Sequence, residues 1–409
     1  MRGAAVRVLL LNAGSSSLKA TLVEAGGGRV LAHASADWAG PVTRYVCTGP
    51  TGARVSEEVS WRGHAEAVER ALGDLVEEPG RFGAPVPPLV AVGHRVVHGG
   101  AFRASVRIAP EVRSRIAALA ELAPLHNPPG LATLAAAEAE LPDVPHVAVF
   151  DTAFHASLPP AARTYAVPEA WTRDWGIRRY GFHGLSHAYC TGRAAEMLNR
   201  PATELRLVIC HLGHGCSAAA ILHGRCVDTT MGFTPLDGLM MATRSGAVDP
   251  GILLHVQRHH GLSVKDIEEA LNHQSGLRGV SGLSGDMREV LAAAGAGDER
   301  ARLAVDVYTH RVRQAVGALT ATLGGIDALV FTAGVGENAA AVRAASCRGL
   351  ECLGLELDAD ANEQCRPDAD VARPGSRVRV LVIAAREDVT MLREVMQVVG
   401  TPAPGGAPR

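Results

Sequence analysis

The segment VICHLGHGCSAAAIL, residues 208–222, crowds four side chains of the kind that bind transition metals into seven residues. They are Cys210, His211, His214 and Cys216. If Cys210 and His211 continue one strand, they point to opposite faces and cannot bind the same ion without breaking that strand. Structural zinc takes four converging ligands, whereas Gly213 and Gly215 suit a tight turn whose backbone N–H groups face phosphate. The pattern favours a phosphate-binding glycine turn over a zinc site.

Charged side chains follow apolar strands in three further loops. Arg95 lies in GHRVVHGG and needs an anionic partner, which is either a ligand or a structural salt bridge. Asp151 ends the strand HVAVF, where a carboxylate binds a metal or a nucleotide, or else stabilises a turn. His183 and Arg244 are flanked by glycines, which places them in loops rather than in a core. His187 is expected to open the helix that follows His183.

Two other glycine-rich stretches suit phosphate groups. NAGSSSLK, residues 12–19, offers backbone N–H groups and hydroxyls, although a plain hairpin turn explains it equally well and the P-loop pattern is absent. In VFTAGVGEN, residues 330–338, a strand meets the turn Gly334–Gly336, and a helix is predicted to begin near Glu337. A helix N-terminus favours anions.

The elements that must position these loops follow a repeated plan of strand, glycine turn and strand. The first copy is predicted as strand Val6–Leu11, turn Asn12–Ser17 and strand Leu18–Val23, and the second as strand Leu205–His211, turn Leu212–Gly215 and strand Cys216–Leu222. Such a repeat, half a chain apart, indicates two domains of related topology. Elsewhere apolar strands alternate with amphipathic helices, which predicts the α/β class with mixed sheets.

Composition excludes several functional classes. The 409 residues, 47% of them hydrophobic, are enough for two domains. A formal net charge of −2 gives no basic field for nucleic acid, and no apolar run reaches the roughly 20 residues of a membrane-spanning helix. The eight cysteines form no C-x-x-C pair, which favours a reducing cytoplasm. Residues 401–409 are expected to form a mobile tail.

Eight motifs follow one another along the chain, from residue 12 to residue 338. They are NAGSSSLK, GHRVVHGG, LAPLHNPPGL, FDTAFH, YGFHGLSH, MGFTPLDGLMMATRSGAVDPG, SGLSGDMRE and FTAGVGEN. They occur in the order in which acetate kinases carry them, so the chain resembles the acetate kinase family over about residues 8 to 388. The resemblance implies duplicated actin-like (ribonuclease H-like) domains with mixed sheets flanked by helices. The N-terminal domain would comprise residues 1–152, with helix 388–400 packing back on it, and the nucleotide-binding domain residues 153–387.

The resemblance also implies a reaction. The γ-phosphoryl group of ATP would pass reversibly and in line to acetate, with Mg²⁺ or Mn²⁺, giving acetyl phosphate and ADP in a cytoplasmic homodimer. A carboxylate nucleophile is already ionised at neutral pH, so no general base is needed. The difficulty is the approach of two anions, which calls for arginines and a metal.

Site residues are carried over from the matching motifs. Arg95 and Arg244 would hold carboxylate and phosphoryl oxygens, His183 would donate to the phosphoryl group in flight, and Asp151 would lie close by. Asn12 and Glu387 would position the metal. A methyl pocket would be formed by Val97, Leu125, Phe182 and Pro235, all of which also suit ordinary packing. The phosphate and nucleotide contacts would be Ser15, Ser17, Lys19, His211, Leu212, Gly213, His214, Gly215, Asp286, Met287, Arg288, Gly334, Val335, Gly336, Glu337 and Asn338. Asp286 and Arg288 equally suit an exposed ion pair at a helix start.

Four positions depart from the family pattern. His214 and Arg386 stand where asparagine is usual, Cys216 where serine or alanine is commoner, and Asp388 where a second glutamate is usual. The sequence leaves open which of Glu387 and Asp388 approaches the metal, and in which direction the reaction runs in the cell. It also leaves open a kinase for propionate or butyrate, or a nucleotide-binding homologue with impaired catalysis.

Overall fold

The computed structural model describes residues 6–49, 52–77, 88–123 and 126–400. They divide into two compact units, the described residues of Met1–Ala153 with Arg386–Arg409, and Phe154–Ala385. This division places Glu387 in the first unit. Residues 401–409 and Leu125, for which the sequence predicts a tail and a pocket residue, lie outside the described residues. No helix in the described part of the chain is long and apolar enough to cross a membrane.

The first unit contains an eight-stranded mixed sheet. Its strands are β1 (Arg7–Ala13), β2 (Ser17–Glu24), β3 (Val30–Asp37), β4 (Thr43–Thr48), β5 (Arg54–Val59), β6 (Leu89–Val96), β7 (Val106–Arg107) and β8 (His146–Phe150), in the order β5-β4-β3-β2-β1-β6-β8-β7. The first five strands form an antiparallel meander, and β1, β6 and β8 run parallel. Strands β1 and β8 are almost wholly buried, which explains their unbroken apolar runs.

Helices cover this sheet. They are α1 (His64–Leu72, continued by a π-helical turn over Gly73–Glu77), α2 (Pro110–Ala117), α3 (Asn127–Glu140) and the C-terminal helix α15 (Glu387–Val399). Helix α15 packs on β1, β6 and β8. Its seat depends on Gly93 of β6, because a β-carbon there would lie 2.6 Å from a methyl group of Val395. The end of the chain thus brings Glu387 to the first unit.

The second unit contains a six-stranded mixed sheet in its described residues. Its strands are β9 (Arg206–Leu212), β10 (Cys216–Leu222), β11 (Arg225–Thr229), β12 (Ala328–Thr332), β13 (Ala369–Asp370) and β14 (Arg379–Val382), in the order β11-β10-β9-β12-β14-β13. The helices are α4 (Pro160–Arg163), α5 (Glu169–Trp175), α6 (Gly184–Met197), α7 (Pro250–His260), α8 (Val264–His273), α9 (Gly276–Ser281), α10 (Met287–Gly295), α11 (Glu299–Leu323), α12 (Ala333–Asn338), α13 (Ala340–Cys347) and α14 (Ala359–Glu363). The apolar face of α11 packs against β9 and β10.

The two sheets share one plan, which confirms the duplicated α/β fold. The order β3-β2-β1-β6-β8 in the first matches β11-β10-β9-β12-β14 in the second, with antiparallel pairs first and parallel pairs after. The second predicted hairpin is present, but Leu212, predicted in its turn, ends β9 and pairs with Cys216, so the turn is Gly213–Gly215. The first hairpin is tighter than predicted. Asn12 lies inside β1 and pairs with Lys19, so the turn is Gly14–Ser16.

Candidate active site

One cluster of polar side chains lies at the carboxyl edge of the first sheet. Arg95 is near the end of β6 and Asp151 directly follows β8, and the two strands are parallel neighbours. The guanidinium of Arg95 donates from Nε to Asp151 Oδ1 (3.1 Å) and from Nη2 to Asp151 Oδ2 (2.6 Å). A third donor, Nη1, reaches Asn12 Oδ1 (3.1 Å). Because Asp151 is fully buried, this bidentate pair fixes the plane of the guanidinium.

Glu387 joins this cluster from the first residue of α15. Its Oε2 lies 4.0 Å from Arg95 Nε. Burial raises the pKa of Glu387, while the charge of Arg95 acts to lower that pKa. Asp388 is engaged elsewhere, since both its carboxylate oxygens accept hydrogen bonds from Arg386 at 2.8–3.2 Å. Of the two neighbouring acids, Glu387 is therefore the one held beside Arg95.

The donor set of this cluster fits Mg²⁺. Asn12, Asp151 and Glu387 offer amide and carboxylate oxygens, the hard ligands that Mg²⁺ prefers. Both oxygens of Asp151 already accept from Arg95, which leaves Glu387 as the available carboxylate. Mg²⁺ retains several waters and commonly takes only one or two protein carboxylates together with substrate phosphates. In keeping with this, the described residues hold no group of three or more His, Cys, Asp or Glu side chains that could bind a metal ion.

His183 is the central side chain of the second unit's cluster. It precedes α6 in a left-handed conformation with φ 58°, which is rare and costly outside glycine and is typical of functional positions. The ring stacks on His211, with 4.1 Å between ring centroids, and Nδ1 lies 3.0 Å from Ser217 Oγ. A β-carbon on Gly215 would lie 3.3 Å from His183 Nε2 and 3.4 Å from the Arg244 guanidinium. Glycine at 215 thus leaves room for both side chains.

Arg244 is half-buried beside His183. Its Nη1 donates to the carbonyl of Pro235 (2.8 Å), and no carboxylate among residues 154–385 pairs with it. Burial lowers the pKa of Arg244, because removing the charge from water is unfavourable. A buried cation without a counter-ion is costly unless an anion binds to it. The guanidinium of Arg244 is therefore suited to bind an anionic ligand.

A cavity of about 1090 Å³ lies in the second unit. The sequence predicted eight of its lining residues, which are Gly213, His214, Asp286, Met287, Arg288, Gly334, Val335 and Asn338. Seven others were missed: Thr243, Arg278, Leu283, Ser284, Gly285, Leu291 and Ala339. Of these, Leu283, Ser284 and Gly285 belong to the quoted motif SGLSGDMRE, so the motif itself was the available signal. Size and lining suit a nucleotide-sized ligand.

Not every predicted nucleotide residue lines this cavity. His211 and Leu212 are buried in β9, Gly336 packs against Phe331, and Glu337 Oε1 accepts from the backbone N–H of Ala385 at 2.9 Å. Asp286 pairs with Arg288 (2.5 Å) and accepts from its backbone N–H, which fits the alternative of an ion pair at the start of α10. Ser15, Ser17 and Lys19 lie on the first unit's hairpin, half-buried or exposed.

Two local predictions were wrong. Gly334–Gly336 do not form an open turn, because α12 begins at Ala333 directly after β12. Ala333 itself takes the left-handed conformation, φ 66°, at this change of direction. His187 does not open a helix, because α6 begins at Gly184 and His187 lies fully buried within it.

The four residues of metal-binding type in the second hairpin lie in strands and the turn between them. Cys210 and His211 are adjacent in β9, as predicted, His214 is in the turn, and Cys216 begins β10. Cys216 Sγ lies 3.4 Å from the Gly213 carbonyl and 3.1 Å from the Tyr308 hydroxyl, so it packs inward. His214 is beside the cavity, where burial and then Arg244 lower its pKa.

The predicted methyl-pocket residues fall in both units. Val97 is buried just after β6. Phe182 is buried next to His183, and its carbonyl accepts from His155 Nε2 (2.9 Å). Pro235 is half-buried and holds Arg244 through its carbonyl. The contact of Pro235 ties one of these predicted residues to Arg244.

Comparison with known proteins identifies the family of this chain. The sequence model of the acetokinase family matches residues 7–393. An acetate kinase from a Cyanothece strain is 47% identical over 97% of this chain and 99% of its own, and one from Gloeobacter violaceus is 48% identical over 96% and 99%.

Solved structures show the same likeness. An acetate kinase from Porphyromonas gingivalis superposes with a TM-score of 0.88 at 41% identity, covering 97% of this chain and 100% of its own. A propionate kinase from Francisella tularensis superposes with a TM-score of 0.89 at 37% identity, covering 96% and 100%. With a match over nearly the whole chain in sequence and in fold, this protein belongs to the acetokinase family.

Proposed function

We propose that this protein is an acetate kinase, which transfers the γ-phosphoryl group of ATP to acetate and runs the reverse reaction with acetyl phosphate and ADP. The observation that carries the proposal is the half-buried guanidinium of Arg244. It lies beside His183 and the glycine turn of a nucleotide-sized cavity, and no carboxylate of its own unit neutralises it. Such a group binds an anion and stabilises the charge that spreads over a phosphoryl group in transfer.

The remaining side chains divide the work of bringing two anions together. Acetate is ionised at neutral pH, so positioning and charge neutralisation are the main requirements. Arg244 and His183 Nε2 would donate to the oxygens of the phosphoryl group. Arg95, held in one plane by Asp151 and Asn12, would orient oxygens of the substrates with its remaining N–H groups.

Mg²⁺ is the metal that we propose for the Glu387 side of the first cluster. Glu387 would hold it directly or through water, with Asn12 and Asp151 shaping that shell. When bound, Mg²⁺ would neutralise charge on the phosphate oxygens of the nucleotide. On this assignment, Asp388 serves to hold Arg386 and is not a ligand.

Acetate is the proposed carboxylate because Val97 and Phe182, two of the residues that the family resemblance assigns to the methyl group, are bulky and buried, each in its own unit. An extra methylene changes transition-state binding by only ~1–3 kcal/mol, so we expect propionate to react with kcat/KM reduced ~10- to 200-fold and butyrate to react more slowly still. The experiment is a coupled assay with the three carboxylates, with and without Mg²⁺. Faster turnover of propionate than acetate would make this a propionate kinase, and no turnover of any would indicate a nucleotide-binding homologue without catalysis.

We also propose that the protein is a cytoplasmic homodimer, as the family resemblance implies. The buried thiols of Cys210, Cys216 and Cys226 are reduced, which suits a reducing compartment. Helix α7 has no buried residue and exposes Ile252 and Leu254 by about half of their surface. Apolar side chains exposed together are typical of a surface that another chain covers.

A further inference from the structure

A serine behind His183 makes two hydrogen bonds to histidines. Ser217 lies on β10 and is fully buried. Its Oγ is 3.0 Å from His183 Nδ1 and 2.8 Å from His187 Nε2. The other ring nitrogen of His187, Nδ1, is buried and has no hydrogen-bond partner among the described residues. The three side chains therefore form a hydrogen-bonded series that ends at His187 Nδ1, a nitrogen with no hydrogen-bond partner among the described residues.

That terminal nitrogen decides where the protons lie. A buried N–H without an acceptor is rarer and costlier than an acceptor without a donor, so the proton of neutral His187 belongs on Nε2. The Nε2–H then donates to Ser217 Oγ. The hydroxyl has one hydrogen, which is left to donate to His183 Nδ1. With Nδ1 acting as acceptor, the proton of neutral His183 is on Nε2.

Nε2 is the nitrogen of His183 that faces the reaction site. A β-carbon on Gly215 would lie 3.3 Å from this nitrogen and 3.4 Å from the Arg244 guanidinium, so both groups face the same glycine. We propose that Ser217 and His187 are positioning residues that keep His183 neutral, with its Nε2–H directed at the transferring phosphoryl group. This inference rests on the proposed function, in which His183 donates to that group.

This hydrogen-bonded series of His183, Ser217 and His187 also disfavours a protonated His183. An imidazolium would donate from Nδ1 to Ser217, which would turn the hydroxyl toward His187 Nε2. The proton of His187 would then have to sit on Nδ1, as a buried N–H without an acceptor. The other titratable groups here add to this, because Arg244 is cationic, His211 stacks on His183, and His155 is 5.6 Å from His187 between ring centroids.

The arrangement would therefore supply a hydrogen-bond donor whose protonation state does not change near neutral pH. Histidine in water titrates at about pH 6.5. A donor held neutral and in one tautomer is ready in every turnover, and it avoids a second full positive charge beside Arg244.

Nitrogen NMR of the full-length protein labelled with ¹⁵N-histidine tests this directly. At about pH 7.5, well above the ordinary pKa of histidine, His183 should show a protonated Nε2 and an unprotonated Nδ1, and His187 the same pattern. Spectra of His183→Gln and His187→Gln assign the signals. In Ser217→Ala, the His183 signals should move toward the average of two exchanging tautomers.

Activity provides a matched pair of variants. His187→Gln keeps an N–H donor near the Nε2 position, whereas His187→Leu does not. We expect Ser217→Ala and His187→Leu to lower kcat ~10-fold, with KM for acetate and ATP unchanged, by analogy with partners that orient a ligating histidine. His187→Gln should restore most of kcat. In Ser217→Ala the pH profile of kcat should acquire an acidic limb from a His183 that now titrates.

The outcomes separate this inference from the proposed function. An unprotonated Nε2 on wild-type His183, or a His183 tautomer that Ser217→Ala leaves unchanged, would overturn the proposed role of Ser217 and His187, whichever carboxylate the enzyme phosphorylates. If no carboxylate turns over, the proposed function fails, while the NMR result still decides whether Ser217 and His187 fix the tautomer of His183. If Ser217→Ala does not fold, the pair at His187 decides it, because equal kcat in His187→Gln and His187→Leu would contradict a hydrogen-bonding role.

Discussion

Arg95 and Arg244 should respond oppositely in stability when each is replaced by methionine, although both variants should lose activity. The reason is their pairing. Arg95 is bound to the fully buried Asp151 through two hydrogen bonds, whereas among the described residues the Arg244 side chain donates only to the carbonyl of Pro235. Methionine keeps an unbranched apolar side chain at each position and removes the cation together with its N–H donors.

The magnitudes follow from the partner left behind. Arg95→Met leaves Asp151 buried without a counter-ion, which costs ~3–5 kcal/mol in free energy of unfolding. At roughly 2–4 °C per kcal/mol for a unit of this size, the melting temperature falls by about 10 °C. Arg244→Met gives up one hydrogen bond, worth ~1 kcal/mol, and relieves a desolvation cost of at least that size. Its free energy of unfolding should stay level or rise.

The assay pairs steady-state kinetics with thermal unfolding of the same preparations. Both variants should lose at least ~100-fold in kcat, the usual effect of removing a donor to transition-state charge. Arg173→Met is the control, since Arg173 is exposed and should affect neither quantity. Near-normal kcat in both active-site variants would refute the mechanism. A melting temperature that falls as far in Arg244→Met as in Arg95→Met would refute the claim that Arg244 is held without a counter-ion.

Three further predictions concern pH and assembly. Burial lowers the pKa of His214 below its ordinary value of about 6.5, so its charge should appear only on acidification below that pH; KM for ATP should then fall between about pH 6.5 and pH 5 in the wild type but not in His214→Asn, and parallel curves would contradict this. Burial also lowers the pKa of His94 and of His146, which are hydrogen-bonded to each other at 2.8 Å. The unfolded chain binds these protons more readily than the folded protein does. The free energy of unfolding should therefore be at its maximum above about pH 6.5 and fall by ~1.4 kcal/mol per pH unit per histidine below that pH. His94→Gln should reduce this slope in urea titrations, and equal slopes in the variant and the wild type would argue against the prediction. In light scattering, the protein should have twice the 42.6 kDa mass of one chain and the double variant Ile252→Glu, Leu254→Glu should have one; a dimer that survives the charges would move the interface elsewhere.

The part of the site that could be predicted is the part set by strand ends. Arg95 lies near the end of β6, just beyond the apolar run 89–92, and Asp151 directly follows β8; parallel neighbouring strands bring their carboxyl ends to one edge. The glycine turn at Gly213–Gly215 was predictable for a similar reason, because strand alternation separates Cys210 from His211 whatever the tertiary structure.

What could not be predicted depends on orientation between distant segments. Ser217 meets His183 and His187 across more than 25 residues of sequence, and nothing in a strand reading CSAAAIL marks its serine as a partner of two histidines. The helix at Ala333 was missed because glycines indicate conformational freedom without saying which conformation is adopted. In this helix a β-carbon on Gly336 would lie 3.4 Å from the backbone of Phe331, so glycine allows α12 to lie close to β12.

The seat of α15 on β6 has a consequence for biosynthesis. The first unit needs this helix to cover its sheet, yet the ribosome makes α15 only after the whole of the second unit. The second unit can therefore fold during translation, while the first must wait with part of its apolar sheet uncovered, a state that favours chaperone binding. Because α15 also carries Glu387, completion of the core and arrival of the proposed metal-binding carboxylate are one event. A nascent chain stalled before residue 386 would contain every other described residue of the proposed site and still lack activity.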